Sequence, residues 1–582
     1  MVLALVIYFF VFAEPVRGLC IPIILGGLLN LSYDLSFRPK KSFFKILFLF
    51  IIFAFAAYLN NPLTIAGCIL TFIVVFLTTF SSYNLFGVSV YIPYLLSYFM
   101  LVSAHIRLED LPVTILSLII GVIFIISLNL IINHKKVYKL SIKNIDHLFN
   151  ELYNGIDLKL EGKPVSIDDF NSIKGFYSGI YNNFDYKYFP NYAQQGVLNI
   201  VKALQYIGVL ISIYDFTSEE LKYIKKTLYN IEKANPFEIF DGINFKTKEM
   251  SIVLLNLEIL SHEIVKDLNT DTIFPDRKII WSLIIGGFKR NFSFKSAKFI
   301  FALKMAIILF VLELFTLVYN FPYTKWLIFV SISLMVPYID DISYTAKTRI
   351  KGTLLGSLLF VFVLIFVKYM PIDTSTLITV ISIICTLIIV FNLKNRLVVS
   401  CVSTIISIMS ALIYISLPAA MLLKILWVVL GVVIVSVFNF LFLPYSVEKE
   451  SKNNLKSYFD LNTESIRLIK EKVLAKKSYF NKTTILVLSN ILQENIESSD
   501  ENEKLFNIQI TISDISNLIL NYLDIHPPRE SLKDNIVNLI DERSSDVDES
   551  LAIKDQIIII CLNHLIELYN EESILVKKLN LV

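Results

Sequence analysis

Charge is scarce in this chain of 582 residues: 18% are Asp, Glu, Lys or Arg, against 55% hydrophobic. A soluble protein of that size cannot keep so much apolar side chain off its surface, so the excess faces lipid. The net charge of +3 gives no sign of a nucleic-acid partner and leaves Lys and Arg to act through placement. Five cysteines, Cys20, Cys68, Cys385, Cys401 and Cys561, have neither metal-ligand nor redox spacing. They read as free, small hydrophobes rather than a disulfide framework. The six histidines stand apart from one another, and no Gly-rich phosphate loop, Walker pattern or nucleophile–base pair is visible. An enzyme, a metal centre and a cofactor are therefore not expected.

What is plentiful is long apolar sequence, with 45 Phe and 29 Tyr of the kind that pack in lipid and end at its interface. A lipid-spanning helix needs about 20 mainly apolar residues, because each backbone polar group must be satisfied within the segment. Such runs lie near 2–13, 19–31, 43–59, 64–80, 85–104 and 112–133, and again near 299–319, 326–338, 352–367, 374–391, 397–415 and 419–443. They define four segments: a first transmembrane block (1–133), a soluble helical domain (134–290), a second transmembrane block (291–446) and a C-terminal helical domain (447–582). The expected fold is all-α and polytopic, with about twelve spans.

Loop charge sets the orientation, since Lys and Arg are retained on the cytoplasmic side. One set of loops holds sixteen basic residues, from Arg38 and Lys40 through Lys135 and Lys289 to Lys347, Arg349, Lys394 and Arg396. The alternate set holds four: Arg17, Arg107, Lys325 and Lys368. Both soluble domains and both termini are thus expected in the cytoplasm of a cell bounded by the plasma membrane.

The two blocks read as copies. A shift of 307 places Pro15 on Pro322 and Asp34-Leu35-Ser36-Phe37 on Asp341-Ile342-Ser343-Tyr344, and shifts of 309 or 310 place Pro62 on Pro371, Gly121 on Gly431 and Asn129 on Asn439. Six spans of equal topology make the repeats parallel, related by an axis along the membrane normal. Their interface is the first place to look for a pathway. Under the same shift Met1 falls on Ile308. A 12-residue run is only about 18 Å long against a hydrocarbon core of about 30 Å, so the first copy is expected to start late or to be truncated. A signal peptide is the other reading, but it lacks a basic n-region and a small-residue cleavage site.

The soluble segments show helical patterning. Thr217 and Glu220 form a capping-box pattern ahead of Leu221, Ile224, Leu228 and Ile231 on one face. Further helices are expected at Ile252–Leu260, Ile510–Leu523 and Gln556–Tyr569. Together these segments are too large for linkers. They are expected to pair with each other or with a second protomer, which makes a homodimer one reading.

The sequence Arg349-Ile-Lys-Gly352-Thr353-Leu-Leu-Gly356, just after a basic loop, resembles the R-x-x-G-T-x-x-G signature of the fusaric acid resistance (FUSC) family. Phe301-Ala-Leu-Lys304 and the later Lys325-Trp326 look like that family's entry into its second membrane unit. The plan of six spans, soluble domain, six spans, soluble domain is similar to the family's long bacterial branch. The first copy departs from the signature, with Lys45 and Leu49 at the positions of Gly352 and Gly356. The resemblance implies a transporter, with export of aromatic or other hydrophobic carboxylic acids the function of the better-known relatives. Without a Walker motif its energy would come from an ion gradient or a separate subunit. An anion channel and a membrane-anchored scaffold or regulatory protein are the alternatives.

Glu313 lies deep in its apolar run, where an acid costs roughly 2.5 kcal/mol or more unless it faces protein, water or a partner. It is either a proton-coupling group or a hydrogen-bond partner of a neighbouring helix. Lys304 stands nine residues earlier, on nearly the opposite helical face at about 100° per residue. It either snorkels to the headgroups or attracts a substrate carboxylate. Asp34 and Asp341, with Asp340, are helix caps or paired gates that contact Arg38 or Lys40 in one copy and Lys347 or Arg349 in the other. Arg349 joins them as a substrate or coupling candidate. Gly352, Thr353 and Gly356 suit close helix packing, with direct substrate contact the alternative. Asn129 and Asn439 are expected to bond between helices, and Lys424 to reach outward by snorkelling.

Overall fold

The computed structural model describes residues 39–133 (interrupted at 62 and 83–90), 136–165, 192–265 (interrupted at 234–238 and 241–246), 292–368 (interrupted at 295 and 320), 395–475 (interrupted at 413–414), 502–542 and 551–579, and isolated residues elsewhere. Among these residues every regular element is helical, the arrangement that satisfies backbone groups within each segment where water is absent. In chain order the helices are α1 (Pro39–Leu59), α2 (Ile65–Ser82), α3 (Tyr91–Ser103), α4 (Leu111–Asn133), α5 (Lys136–Leu160), α6 (Tyr192–Ile213), α7 (Ser218–Glu232), α8 (Lys248–Val265) and α9 (Ala297–Tyr319). Then follow α10 (Lys325–Leu334), a 3-10 turn (Ile339–Asp341), α11 (Ile342–Lys368), α12 (Arg396–Ala411), α13 (Leu417–Leu441), α14 (Val447–Val473), α15 (Glu503–Ile525), α16 (Glu530–Glu542) and α17 (Ile553–Lys578).

The chain divides into two compact units, each assembled from two separate stretches of sequence: Met1–His134 with Leu283–Lys449, and Lys135–Ser282 with Glu450–Val582. In the first unit six segments are long and apolar enough to cross a membrane, namely α1, α2, α4, α9, α11 with the preceding turn, and α13. The expected runs near 85–104, 326–338 and 397–415 fold as the shorter helices α3, α10 and α12, of 13, 10 and 16 residues. The runs at 2–13, 19–31 and 374–391 fall almost wholly outside the described residues. Exposed apolar side chains recur at helical spacing, as at Ile65, Ile69, Ile73 and Leu77 on α2 and Leu422, Leu426, Val429, Val433 and Val437 on α13. Stripes of that kind belong against lipid tails rather than water.

The two blocks share one core. Their tightest pairings are α11 with α12 and α9 with α2, so the opening helix of the second block lies on a helix of the first. Phe301, Met305 and Leu309 of α9 are buried in one cluster with Phe50, Phe53 and Tyr98 of the first block. A phenylalanine row on α2, with Phe72 and Phe76 stacked at 6.5 Å and Phe76 and Phe80 at 5.8 Å, meets Phe310 and Phe299 of α9 edge-on.

The second unit also joins its two stretches. Helix α8 is buried on nearly every face because α6, α7, α15 and α17 pack around it. Lys202 pairs with Asp514 at 2.7 Å and Glu258 with His526 at 2.7 Å, each across the two stretches. Helix α7 starts on the capping box read at Thr217 and Glu220: the Glu220 N–H donates to Thr217 Oγ1 at 3.3 Å and the Thr217 N–H to Glu220 Oε2 at 2.8 Å.

Candidate functional site

Helix α9 carries a carboxyl on one face and an amine on the other. Glu313 is 2% exposed, and among the described residues neither of its carboxyl oxygens has a hydrogen-bond partner. Its neighbours come from the first block: Thr71 of α2 and Asn60, which follows α1, approach the carboxyl without closing a bond, and Tyr98 of α3 and Cys68 lie within its field. These neighbours form a small network, in which Asn60 Nδ2 donates to Thr71 Oγ1 at 3.2 Å and Thr71 Oγ1 lies 2.8 Å from the Tyr98 hydroxyl. Asn60 Oδ1 is buried and also lacks a donor. Gly67 makes the arrangement possible, since a Cβ there would stand 1.8 Å from Asn60 Oδ1.

On the other face Lys304 is 1% exposed, and its amine donates to Asn439 Oδ1 of α13 at 3.4 Å. Of the two readings of Lys304, snorkelling is not seen, because this acceptor inside the unit takes the amine. Asn439 Nδ2 donates to Val435 O at 3.0 Å and to Met335 Sδ at 3.4 Å. Asn129 of α4, which the sequence shift places on Asn439, accepts from the Leu35 N–H at 2.9 Å and donates to Asn30 O at 2.8 Å. Each asparagine thus holds the chain near the end of the second apolar run of its own block.

The signature residues lie on one face of α11. This helix begins at Ile342, so Arg349 is two turns inside it rather than at its mouth. Gly352 and Gly356 face α12: a Cβ on Gly352 would be 2.5 Å from Ser400 Cβ, and one on Gly356 would be 2.4 Å from Cys401 O. Only hydrogen at those positions allows the approach. Thr353 Oγ1 donates to Arg349 O of its own helix at 2.9 Å, and Ser400 Oγ donates to the same carbonyl at 3.2 Å. The close contact brings Arg349 Nη1 to Ser403 Oγ at 3.3 Å and leaves Arg349 Nε buried without a partner.

Lys424 is the residue that sequence reasoning misplaced. It does not reach outward. It is 2% exposed, donates to Ser407 Oγ at 3.0 Å and stands 4.9 Å from the centre of the Trp326 ring. The signal that could have found it is the serine row Ser400, Ser403, Ser407 on α12, hydroxyls at helical spacing whose oxygens can accept from a cation inside the unit.

Of the two readings of the aspartates, caps or paired gates, the contacts of the gate reading are not made among the described residues. Asp34 lies outside the described residues. Asp341 is exposed at the end of the 3-10 turn, and among the described residues no ion pair joins it to Lys347 or Arg349. Arg349 is drawn to α12 by the glycine contact, while the neighbouring Asp340 accepts from the Val447 N–H at 3.0 Å. Among the described residues no group of His, Cys, Asp and Glu is arranged to hold a metal.

Residues 306–438 match the family described as fusaric acid resistance protein-like, a span that takes in Glu313, Trp326, Arg349, both signature glycines and Lys424. Comparison with curated proteins and with solved structures returns no match. Within its second block the chain is thus similar to the fusaric acid resistance protein-like family, and with the apolar helices of the first unit this similarity fits a multi-pass membrane protein.

Proposed function

We propose that the protein is an ion-coupled transporter that exports organic anions such as aromatic or hydrophobic carboxylic acids, with Glu313 as the proton-coupling group. The observation that carries the reading is the Glu313 carboxyl, 2% exposed and without a hydrogen-bond partner among the described residues. A buried carboxylate without a donor is costly in an apolar setting. A proton on Glu313 removes that charge and makes the group a donor as well as an acceptor. Loss of that proton leaves a carboxylate that draws donors from Thr71 and Tyr98. Because Lys304 leaves α9 on the opposite face to reach Asn439, a small shift of the helix in response to the proton is felt in the second block.

In this reading the chain spans the plasma membrane about twelve times as two parallel repeats, with the soluble segments and both termini in the cytoplasm. A homodimer is the proposed assembly. The matching roles of Asn129 and Asn439 support the repeat. The test is accumulation of a panel of aromatic acids in cells with and without the protein, repeated with Glu313→Gln. Lower accumulation with the protein, lost in the variant, is expected; equal accumulation in all three would contradict the reading. An anion channel is the second reading, favoured by cations at Arg349, Lys304 and Lys424 that have no carboxylate partner among the described residues. It requires uncoupled, ohmic current in a planar bilayer.

A further inference from the structure

The second block holds two cations that the coupling helix does not use. Arg349 comes from α11 and Lys424 from α13, and both reach one face of α12, Arg349 Nη1 at 3.3 Å from Ser403 Oγ and Lys424 Nζ at 3.0 Å from Ser407 Oγ. Ser403 and Ser407 are four residues apart, so their hydroxyls anchor the cations about one 5.4 Å turn apart along α12. The hydroxyl protons are already committed to backbone carbonyls, Ser403 Oγ donating to Ser400 O at 3.0 Å and Ser407 Oγ to Ser403 O at 2.8 Å. Each serine therefore offers only lone pairs to its cation.

Hydroxyl lone pairs do not neutralise charge. Among the described residues neither cation meets a carboxylate, and two like charges at that separation in an apolar setting repel each other. Two features suit the pair to an anion: Lys424 is 2% exposed, and Arg349 Nε is buried with no acceptor among the described residues. The Trp326 ring 4.9 Å from Lys424 Nζ attracts the amine weakly and holds it in place, but it carries no net charge.

We propose that Arg349 and Lys424 form the binding site for the carboxylate of the transported anion, an inference that rests on the transporter reading above. The guanidinium presents a planar edge suited to two parallel hydrogen bonds with a carboxylate, and its free Nε–H belongs to that edge. The ammonium supplies a point charge with protons to spare beyond the one given to Ser407. The site selects by charge: a carboxylate lying across the Ser403–Ser407 face neutralises both cations, while its neutral amide neutralises neither. It is distinct from Lys304, whose amine has its acceptor in Asn439.

Calorimetric titration of the detergent-purified full-length protein with benzoate, and with benzamide as the uncharged control, tests the inference. Saturable binding of benzoate and none of benzamide is expected. Lys424→Met and Arg349→Gln should each weaken benzoate binding at least about tenfold, as expected when one half of a charged contact is removed, and Arg349→Lys should recover part of the loss. A second readout separates binding from a merely structural role. With no anion present, Lys424→Met should melt at the same temperature or higher, because it removes a buried uncompensated charge. A lowered melting temperature with unchanged benzoate affinity would overturn the assignment, as would no saturable response of the unmodified protein to benzoate. Binding that follows these rules without any flux in vesicles would keep the site and remove the transporter. Flux whose dependence on benzoate concentration is unmoved by Lys424→Met would keep the transporter and remove the site.

Discussion

Lys304 and Glu313 leave α9 in opposite directions, the amine 3.4 Å from Asn439 in the second block and the carboxyl beside Asn60 and Thr71 in the first. One helix therefore joins a basic contact to an acidic one without the two groups touching.

The amine contact has a cost when broken. Asn439→Ala removes the acceptor of a buried charged donor, and a loss of about 2 kcal/mol in stability is expected from the lost bond. Lys304→Met in the same background removes the orphaned amine and should recover most of that loss, a coupling measured by a double-mutant cycle of thermal unfolding in detergent. Additive losses would mean that the two side chains do not depend on each other.

Gly356 of α11 and Gly431 of α13 differ in how their neighbours can respond. A Cβ on Gly356 meets the Cys401 carbonyl at 2.4 Å, which is backbone, whereas a Cβ on Gly431 meets Val330 Cγ1 at 2.9 Å, a side-chain atom. Gly356→Ala should force α11 and α12 apart and cost about 1–3 kcal/mol, as overpacking does, with Gly431→Ala the milder change. Thermal melts of the two variants give the ranking, and a more severe Gly431→Ala would contradict it.

In the polar helical unit Glu572 is fully buried, and Asn462 Nδ2 donates to its two carboxyl oxygens at 3.1 and 3.3 Å. Burial pushes its pKa up from 4.5 to about 7, against the opposing pull of hydrogen bonds from Gln509 and Asn462. The folded state thus holds this proton more tightly than the unfolded chain does. Its contribution to stability is complete below about pH 4.5 and is lost as pH rises through about 7, amounting to about 3 kcal/mol. Melting of the full-length protein should accordingly fall between pH 5 and pH 8, and Glu572→Gln should flatten that part of the profile. An unchanged slope in the variant would assign the effect to other groups.

Local rules made part of this fold legible in the sequence. The 3.6-residue period puts Lys304 and Glu313 on opposite faces, and the structure has them there. The capping box at Thr217 needs only residues three apart, and it is formed. The start of α11 was hidden because its first ten residues, ISYTAKTRIK, are polar, although they are helical. The surroundings of Glu313 were illegible for a different reason. Asn60, Thr71 and Tyr98 lie more than two hundred residues away in sequence, and no periodicity records that α9 lies on α2. Lys424 was misread because snorkelling is judged from depth along a helix, while burial depends on which helix stands beside it.

The most direct test of proton coupling at Glu313 is reconstitution in vesicles with an imposed pH gradient and benzoate as the probe. The account expects the unmodified protein to drive benzoate against its concentration gradient, and Glu313→Gln to permit only downhill exchange that no longer responds to the pH gradient. Uphill, pH-driven benzoate transport by Glu313→Gln at the unmodified rate would contradict it.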